Sequence, residues 1–287
     1  MTIAISVKVN DGVVLATDSA STIIMQDPSG NIAIQNVYKS ADKIFNLDKS
    51  RPIGVMTWGI GSIGNESVAT LMKDLRARIT GQDTDHTDWK LGKDATVLQF
   101  AEAVKKFLYN EKYQTAFKDW IEKPALGFLV AGFSPKQSIA EEYQIDIIGG
   151  RCFDPRPVRP QQEPGIVWNG EPEAITRLIL GYSPHLLNVL LRDFKFSPEQ
   201  TQKLQEIRGQ VAAQVATAAM PIKDAIDLAE FLVETTIKFS RFSPGPTTVD
   251  GPVELAVITK HEGFKWIRRK HYYSTELNPP LPLNDKL

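Results

Sequence analysis

The chain has 287 residues, 42% of them hydrophobic, enough to bury a substantial core as one large domain or two ordinary ones. Its 33 Lys and Arg are balanced by 34 Asp and Glu, and a net charge of −1 excludes the electrostatic footprint expected of a nucleic-acid or anionic-membrane partner. Cys152 is the single cysteine, which excludes an internal disulfide framework. No apolar run approaches the roughly 20 residues of a membrane span, and the start MTIAISVKV lacks a secretory signal, so a soluble, cytoplasmic protein is expected.

In chain order, Ile3 to Val9 alternates Ile3, Ile5, Val7 and Val9 against Ala4, Ser6 and Lys8, the period of a half-buried strand. Asn10, Asp11 and Gly12 form a turn signal, and a second strand restarts over Val13 to Ala16. Further strands follow on both sides of the DPSGN turn at Asp27 to Asn31, then at KIFNL and IGVMTWG. From Asn65 the spacing becomes helical through Val68, Leu71, Met72 and Leu75, and a longer helix is predicted from about Asp94 to Ile121. Strands resume at Ala125 to Phe133, Glu141 to Gly150 and Gly165 to Gly170, the last two separated by a Pro-rich loop. Helices are then predicted at Glu171 to Leu180, Pro198 to about Ala219 and Ile222 to about Phe242. A hairpin of PVELAVITK and FKWIRRK turns across His261, Glu262 and Gly263, before a tail from about residue 274 expected to be loose.

Blocks of strands alternating with pairs of helices do not follow the βαβα order of a parallel sheet. They predict an α+β fold with two mainly antiparallel sheets stacked between helical layers. No linker or repeat divides the chain, so one domain over 1–287 is expected, with residues 183–219 reading as a helical insertion.

The usual chemical constellations are missing from the sequence. His86, His185, His261 and His271 have no metal-ligand spacing, and GIGSIG at Gly59 to Gly64 lacks the lysine of a phosphate-binding loop. Neither a metal nor a cofactor is expected. What stands out is Thr2 behind the initiator, GVVLATDSAST at Gly12 to Thr22, ADKIFNL at Ala41 to Leu47 and IGVMTWG at Ile53 to Gly59. This series resembles the N-terminal half of proteasome β subunits, in the N-terminal-nucleophile hydrolase superfamily. NGEPEAITRLILG, DAIDLAEFLVETTIKF and VELAVITKHEGF extend the likeness over nearly the whole chain.

The resemblance implies a four-layer αββα sandwich. It places Thr2 at the nucleophile, Asp18 and Lys43 at the aspartate and lysine positions, and Gly59 at the oxyanion donor. Ser21 and Thr22 match positions lining the substrate groove. A peptide or amide substrate and a homo-oligomer, ring-forming or smaller, are implied with them. The chemistry asks for these residue types. A threonine hydroxyl needs a base within hydrogen-bond reach, and an α-amine freed by removal of Met1, with a pKa of about 7.7–8.0, can supply it. Lys43 as an ammonium would lower the pKa of both amine and hydroxyl, and Asp18 would hold Lys43 in place.

Singly, each residue has an ordinary reading: Thr2 as a small second residue, Asp18 and Lys43 as a strand-end ion pair, Gly59 as a turn former. Departures from the family pattern keep rivals open. Glu171 stands where a serine is usual and Phe242 where an aspartate is usual, with Ser243 retaining a hydroxyl beside it; Ala20 replaces an arginine. Trp58 replaces a small residue and would narrow the groove, or serve as a core tryptophan. A threonine-type amidohydrolase of proteasome-like kind is the leading reading. The alternatives are an amidase on small amides and a catalytically silent scaffold or assembly subunit.

Overall fold

Alternating apolar residues set the layers of this molecule. In a computed structural model that describes residues 2–194, 196–244 and 247–270, β1 (Ile3–Val9) turns its Ile3, Ile5, Val7 and Val9 toward helices and Ala4 toward a second sheet. Met1 and the tail from residue 274 lie outside the described residues. The same division runs through β2 (Gly12–Thr17), where Val14 and Ala16 face the helices and Val13 and Leu15 the opposing sheet.

After β2 the chain forms a two-stranded hairpin, β3 (Ser21–Gln26) with β4 (Ile32–Tyr38), then β5 (Ile44–Asp48) and β6 (Ile53–Gly59). A small ribbon, β7 (Ser62–Ile63) and β8 (Glu66–Ser67), leads into α1 (Val68–Thr80). Ser67 caps α1 by accepting from Thr70 N, and Gly81 ends it in the left-handed conformation, φ 76°. Helix α2 (Val97–Val104) begins behind a Thr96–Gln99 capping box, continues in wider π-type turns over Lys105–Tyr113, and finishes as α3 (Gln114–Ala116). The predicted helix is therefore shorter at both ends, because Thr96 takes the N-cap position and the chain turns at Phe117.

Strands β9 (Leu126–Gly132) and β10 (Glu141–Ile148) follow, with β11 (Arg151–Cys152), β12 (Arg156–Pro157) and β13 (Gly165–Gly170). Then come α4 (Glu173–Leu180), α5 (His185–Asp193), α6 (Pro198–Val211) and α7 (Ile222–Phe242), and the chain closes through β14 (Glu254–Thr259) and β15 (Gly263–Arg268). Helix α6 stops eight residues before the predicted end near Ala219. Beyond it Ala213 N donates to Ile179 O, and Ala218 O accepts from Asn10 N, so these backbone groups bind α4 and the β1–β2 turn instead of continuing a helix.

One sheet has the order β13-β1-β2-β14-β15, the other β11-β10-β9-β6-β5 with β12 beside β10, and every pairing in both is antiparallel. Helices α4 and α7 cover the first sheet, α1 and α2 the second. Between the sheets lie Ala4, Val13, Leu15, Ile44, Met56, Leu129, Ala131, Ala256 and Ile258. This is the four-layer αββα sandwich. It corrects one expectation, that the Ala4–Ser6–Lys8 face of β1 would meet solvent: all three are buried. Ser6 donates to Glu142 of the facing sheet, and Lys8 Nζ donates to Gln161 O at 2.7 Å in the loop between β12 and β13, so both polar side chains find partners inside the fold.

Candidate active site

Strand ends bring the predicted residues together. Thr2 immediately precedes β1 and Asp18 immediately follows β2, so the antiparallel pairing of these neighbours sets them side by side. Lys43 precedes β5 in the second sheet, and its carbonyl accepts from Thr57 N of β6, two residues before Gly59. Both sheets therefore deliver their strand termini to one point.

There Lys43 Nζ donates to Thr2 Oγ1 at 2.9 Å and to Asp18 Oδ1 at 2.6 Å. Thr2, Asp18 and Lys43 are each buried to within 5% of complete. The Asp18 carboxylate is fully engaged: Oδ1 also accepts from Ile3 N at 3.1 Å, and Oδ2 from Ala20 N at 3.0 Å and Asp250 N at 3.2 Å. Burial pulls the Lys43 ammonium below its usual pKa, and the Asp18 charge and hydrogen bond oppose that shift. A lysine so poised beside a hydroxyl can exchange a proton with it more readily than a solvated one.

Glycines make the close approaches possible. At Gly170, φ 93°, an added Cβ would sit 1.8 Å from Thr2 O, so the strand beside Thr2 demands glycine here. Gly59, φ 102°, would place a Cβ 2.4 Å from Ala125 O.

A cleft of about 340 Å³ opens over these residues and is lined by Thr2, Lys43, Gly59, Ser21, Trp58 and mainly apolar neighbours such as Ile23 and Val68. Trp58 lies against Gly127, where a Cβ would come within 2.2 Å of the indole, so its bulk is accommodated by a missing side chain on β9. Thr22 is buried outside the cleft lining, and its carbonyl accepts from Gly61 N at 3.4 Å. The two remaining predicted residues turn elsewhere. Glu171 N donates to Thr2 O at 2.7 Å, but its carboxylate accepts from Glu173 N at the start of α4. The Ser243 hydroxyl donates to Phe239 O within α7, and the adjacent Phe242 is 84% exposed.

Sequence reasoning passed over Asp250, Glu254 and Lys270. Asp250 contributes its backbone N–H to Asp18, a role no side-chain pattern announces. Glu254 lies fully buried at the start of β14 and its Oε2 accepts from Lys43 N at 2.9 Å. Burial raises the Glu254 carboxyl to about 7, against the pull of nearby Lys270. A charged residue opening the apolar strand ELAVIT was the available signal.

Among the described residues no helix is long and apolar enough to cross a membrane. No protein-family model matches the chain, and no curated protein matches it. Among solved structures the chain is similar to Anbu (ancestral beta-subunit) from Yersinia bercovieri, at 12% identity over 94% of this chain and 88% of that chain, with a TM-score of 0.48.

Proposed function

We propose that this protein is a threonine-type N-terminal-nucleophile amidohydrolase, a peptidase of proteasome-like kind, that works through Thr2 after cleavage of the Met1–Thr2 bond. The observation that carries this reading is the buried contact of Lys43 Nζ with both Thr2 Oγ1 and Asp18 at the base of an apolar cleft. An ion pair serving stability alone has no need of a hydroxyl at a cleft floor.

In this mechanism Thr2 Oγ1 attacks the scissile carbonyl carbon while its proton passes to the freed Thr2 amine, with Lys43 alongside to stabilise the developing alkoxide. The carbonyl oxygen, now an oxyanion, is received by the Gly59 N–H, a contact of the kind typically worth about 2.7–4 kcal/mol. Collapse breaks the C–N bond, the leaving amine takes the proton, and an ester on Thr2 remains. Water, deprotonated by the Thr2 amine, then attacks the ester carbonyl, and the proton passes back to Thr2 Oγ1 as the acid leaves. The apolar lining favours a substrate with an uncharged acyl side chain, bounded by Trp58 and Ser21.

The resemblance to proteasome β subunits also implies self-association. Exposed Leu186, Val189, Phe194 and Val211 on and around α5 and α6 are surface that a neighbouring subunit would cover. A second reading, a silent scaffold, is favoured by the placement of Ser243 and Glu171, which leaves Thr2 without the supporting side chains usual in the family.

Intact mass together with turnover of fluorogenic peptide amides separates the two. Loss of the Met1 mass, with turnover that vanishes in Thr2→Ala, is the expected result. A retained Met1 with no turnover would favour the scaffold.

A further inference from the structure

Behind the Thr2–Lys43–Asp18 centre lies a second buried set of charges that the mechanism above does not use. Lys270 lies two residues beyond the end of β15, with a side chain only 10% exposed. Its Nζ donates to Ser19 Oγ at 2.8 Å and to Ala41 O. The same Nζ lies 3.5 Å from Glu254 Oε1 and 3.8 Å from Asp42 Oδ1. Ser19 Oγ in turn donates to Pro252 O at 2.5 Å. One ammonium therefore touches the segment next to Asp18, the segment next to Lys43 and the strand carrying Glu254. Glu254 completes the circuit by accepting from Lys43 N.

We propose that Lys270 and Glu254 are positioning residues for the candidate active site, Glu254 fixing the main chain at Lys43 and Lys270 locking together the segments that carry Asp18 and Lys43. The proposal rests on the reading of Lys43 as the group that works on Thr2. The energetics favour a role beyond stability. Charges out of water carry a desolvation cost that apolar residues of similar volume avoid, so a buried Lys–Glu–Asp set is a poor choice for stability alone. What it supplies is geometry. The Thr2 hydroxyl and Lys43 belong to different sheets, and nothing in the packing of Ile44 or Ala4 fixes the distance from Nζ to Oγ1 to a few tenths of an ångström. The hydrogen bonds of Lys270 to Ser19 and Ala41, its ion-pair contacts with Glu254 and Asp42, and the bond from Lys43 N to Glu254 supply that constraint.

The full-length protein carrying Lys270→Met, Lys270→Arg or Glu254→Gln provides the test, with crystal structures, thermal unfolding, and kcat and KM on a fluorogenic peptide amide. In Lys270→Met, kcat is expected to fall about 10- to 100-fold with KM changed less than about twofold, as befits a displaced reacting pair. The Lys43 Nζ to Thr2 Oγ1 contact is expected to open beyond hydrogen-bonding distance. Lys270→Arg should recover part of kcat, and Glu254→Gln, which keeps an acceptor for Lys43 N, should lose less than Lys270→Met. If Lys270→Met does not fold, Glu254→Gln/Lys270→Met removes both charges together and is read in the same way. A folded variant in which Lys43 keeps both contacts and kcat is unchanged would overturn the proposal. Should the unmodified protein show no Thr2-dependent turnover, the catalytic reading fails, and the Lys43 position in the variant crystals still decides whether Lys270 sets it.

Discussion

Replacing Asp18 tests the buried network without assuming any activity. Its carboxylate accepts four hydrogen bonds, three from backbone N–H groups and one from Lys43. Asp18→Ala strands the Lys43 ammonium in a site where it is 95% buried, and removing one partner of a buried pair costs about 3–5 kcal/mol. Three backbone donors also lose their acceptor, each with a penalty of about 1–3 kcal/mol where water does not replace it. At about 2–4 °C per kcal/mol for a chain of this size, the ion-pair loss alone lowers Tm on the order of 10 °C. Lys43→Met should cost clearly less, because the Asp18 carboxylate keeps its three N–H donors. Differential scanning calorimetry at pH 7.5 would show the order. A shift below about 2 °C for Asp18→Ala, or a larger loss for Lys43→Met, would mean that the Asp18 network contributes little to stability.

Other outcomes follow from the same structure. Gly170→Ala should destabilise the chain and displace Thr2, since a Cβ would lie 1.8 Å from Thr2 O at a φ of 93°; reduced Tm with loss of turnover is expected. Trp58→Ala should enlarge the cleft, and kcat/KM should rise for amides with bulky apolar acyl side chains relative to small ones. The Glu254 carboxyl, raised from 4.5 to about 7, makes stability fall with rising pH. The protonated form is favoured in the fold, so its contribution is complete below about pH 4.5 and lost as pH passes through about 7, a change on the order of 3 kcal/mol. Denaturant titrations between pH 5 and 8 should show this slope in the unmodified chain and a flatter one in Glu254→Gln.

The layers were legible in the sequence because period-2 alternation is a local signal, and β1, β2 and β14 divide their residues between helix and sheet as that period requires. The burial of Ser6 and Lys8 was not, because their partners Glu142 and Gln161 lie far along the chain. Helix ends failed for a similar reason: α6 yields after Val211 to bonds from distant backbone groups, while Thr96 and Ser67 caps show how boundaries are set by single side chains. At the candidate site the resemblance singled out Thr2, Asp18, Lys43 and Gly59, which the strand ends gather together, Thr2, Lys43 and Gly59 in the cleft wall and Asp18 buried behind them. It gave no hint of Lys270, whose bonds to Ser19 and Ala41 exist only once the last strand closes the first sheet.

Acylation by a peptide β-lactone, followed by intact mass and peptide mapping, tests whether Thr2 Oγ1 is an activated nucleophile. The sample should first be confirmed by mass to begin at Thr2. A single adduct mapped to Thr2, absent from Thr2→Ala and slowed in Lys43→Met, is the result predicted. A chain with a free Thr2 amine that forms no adduct there, or forms one equally well without Lys43, would contradict it.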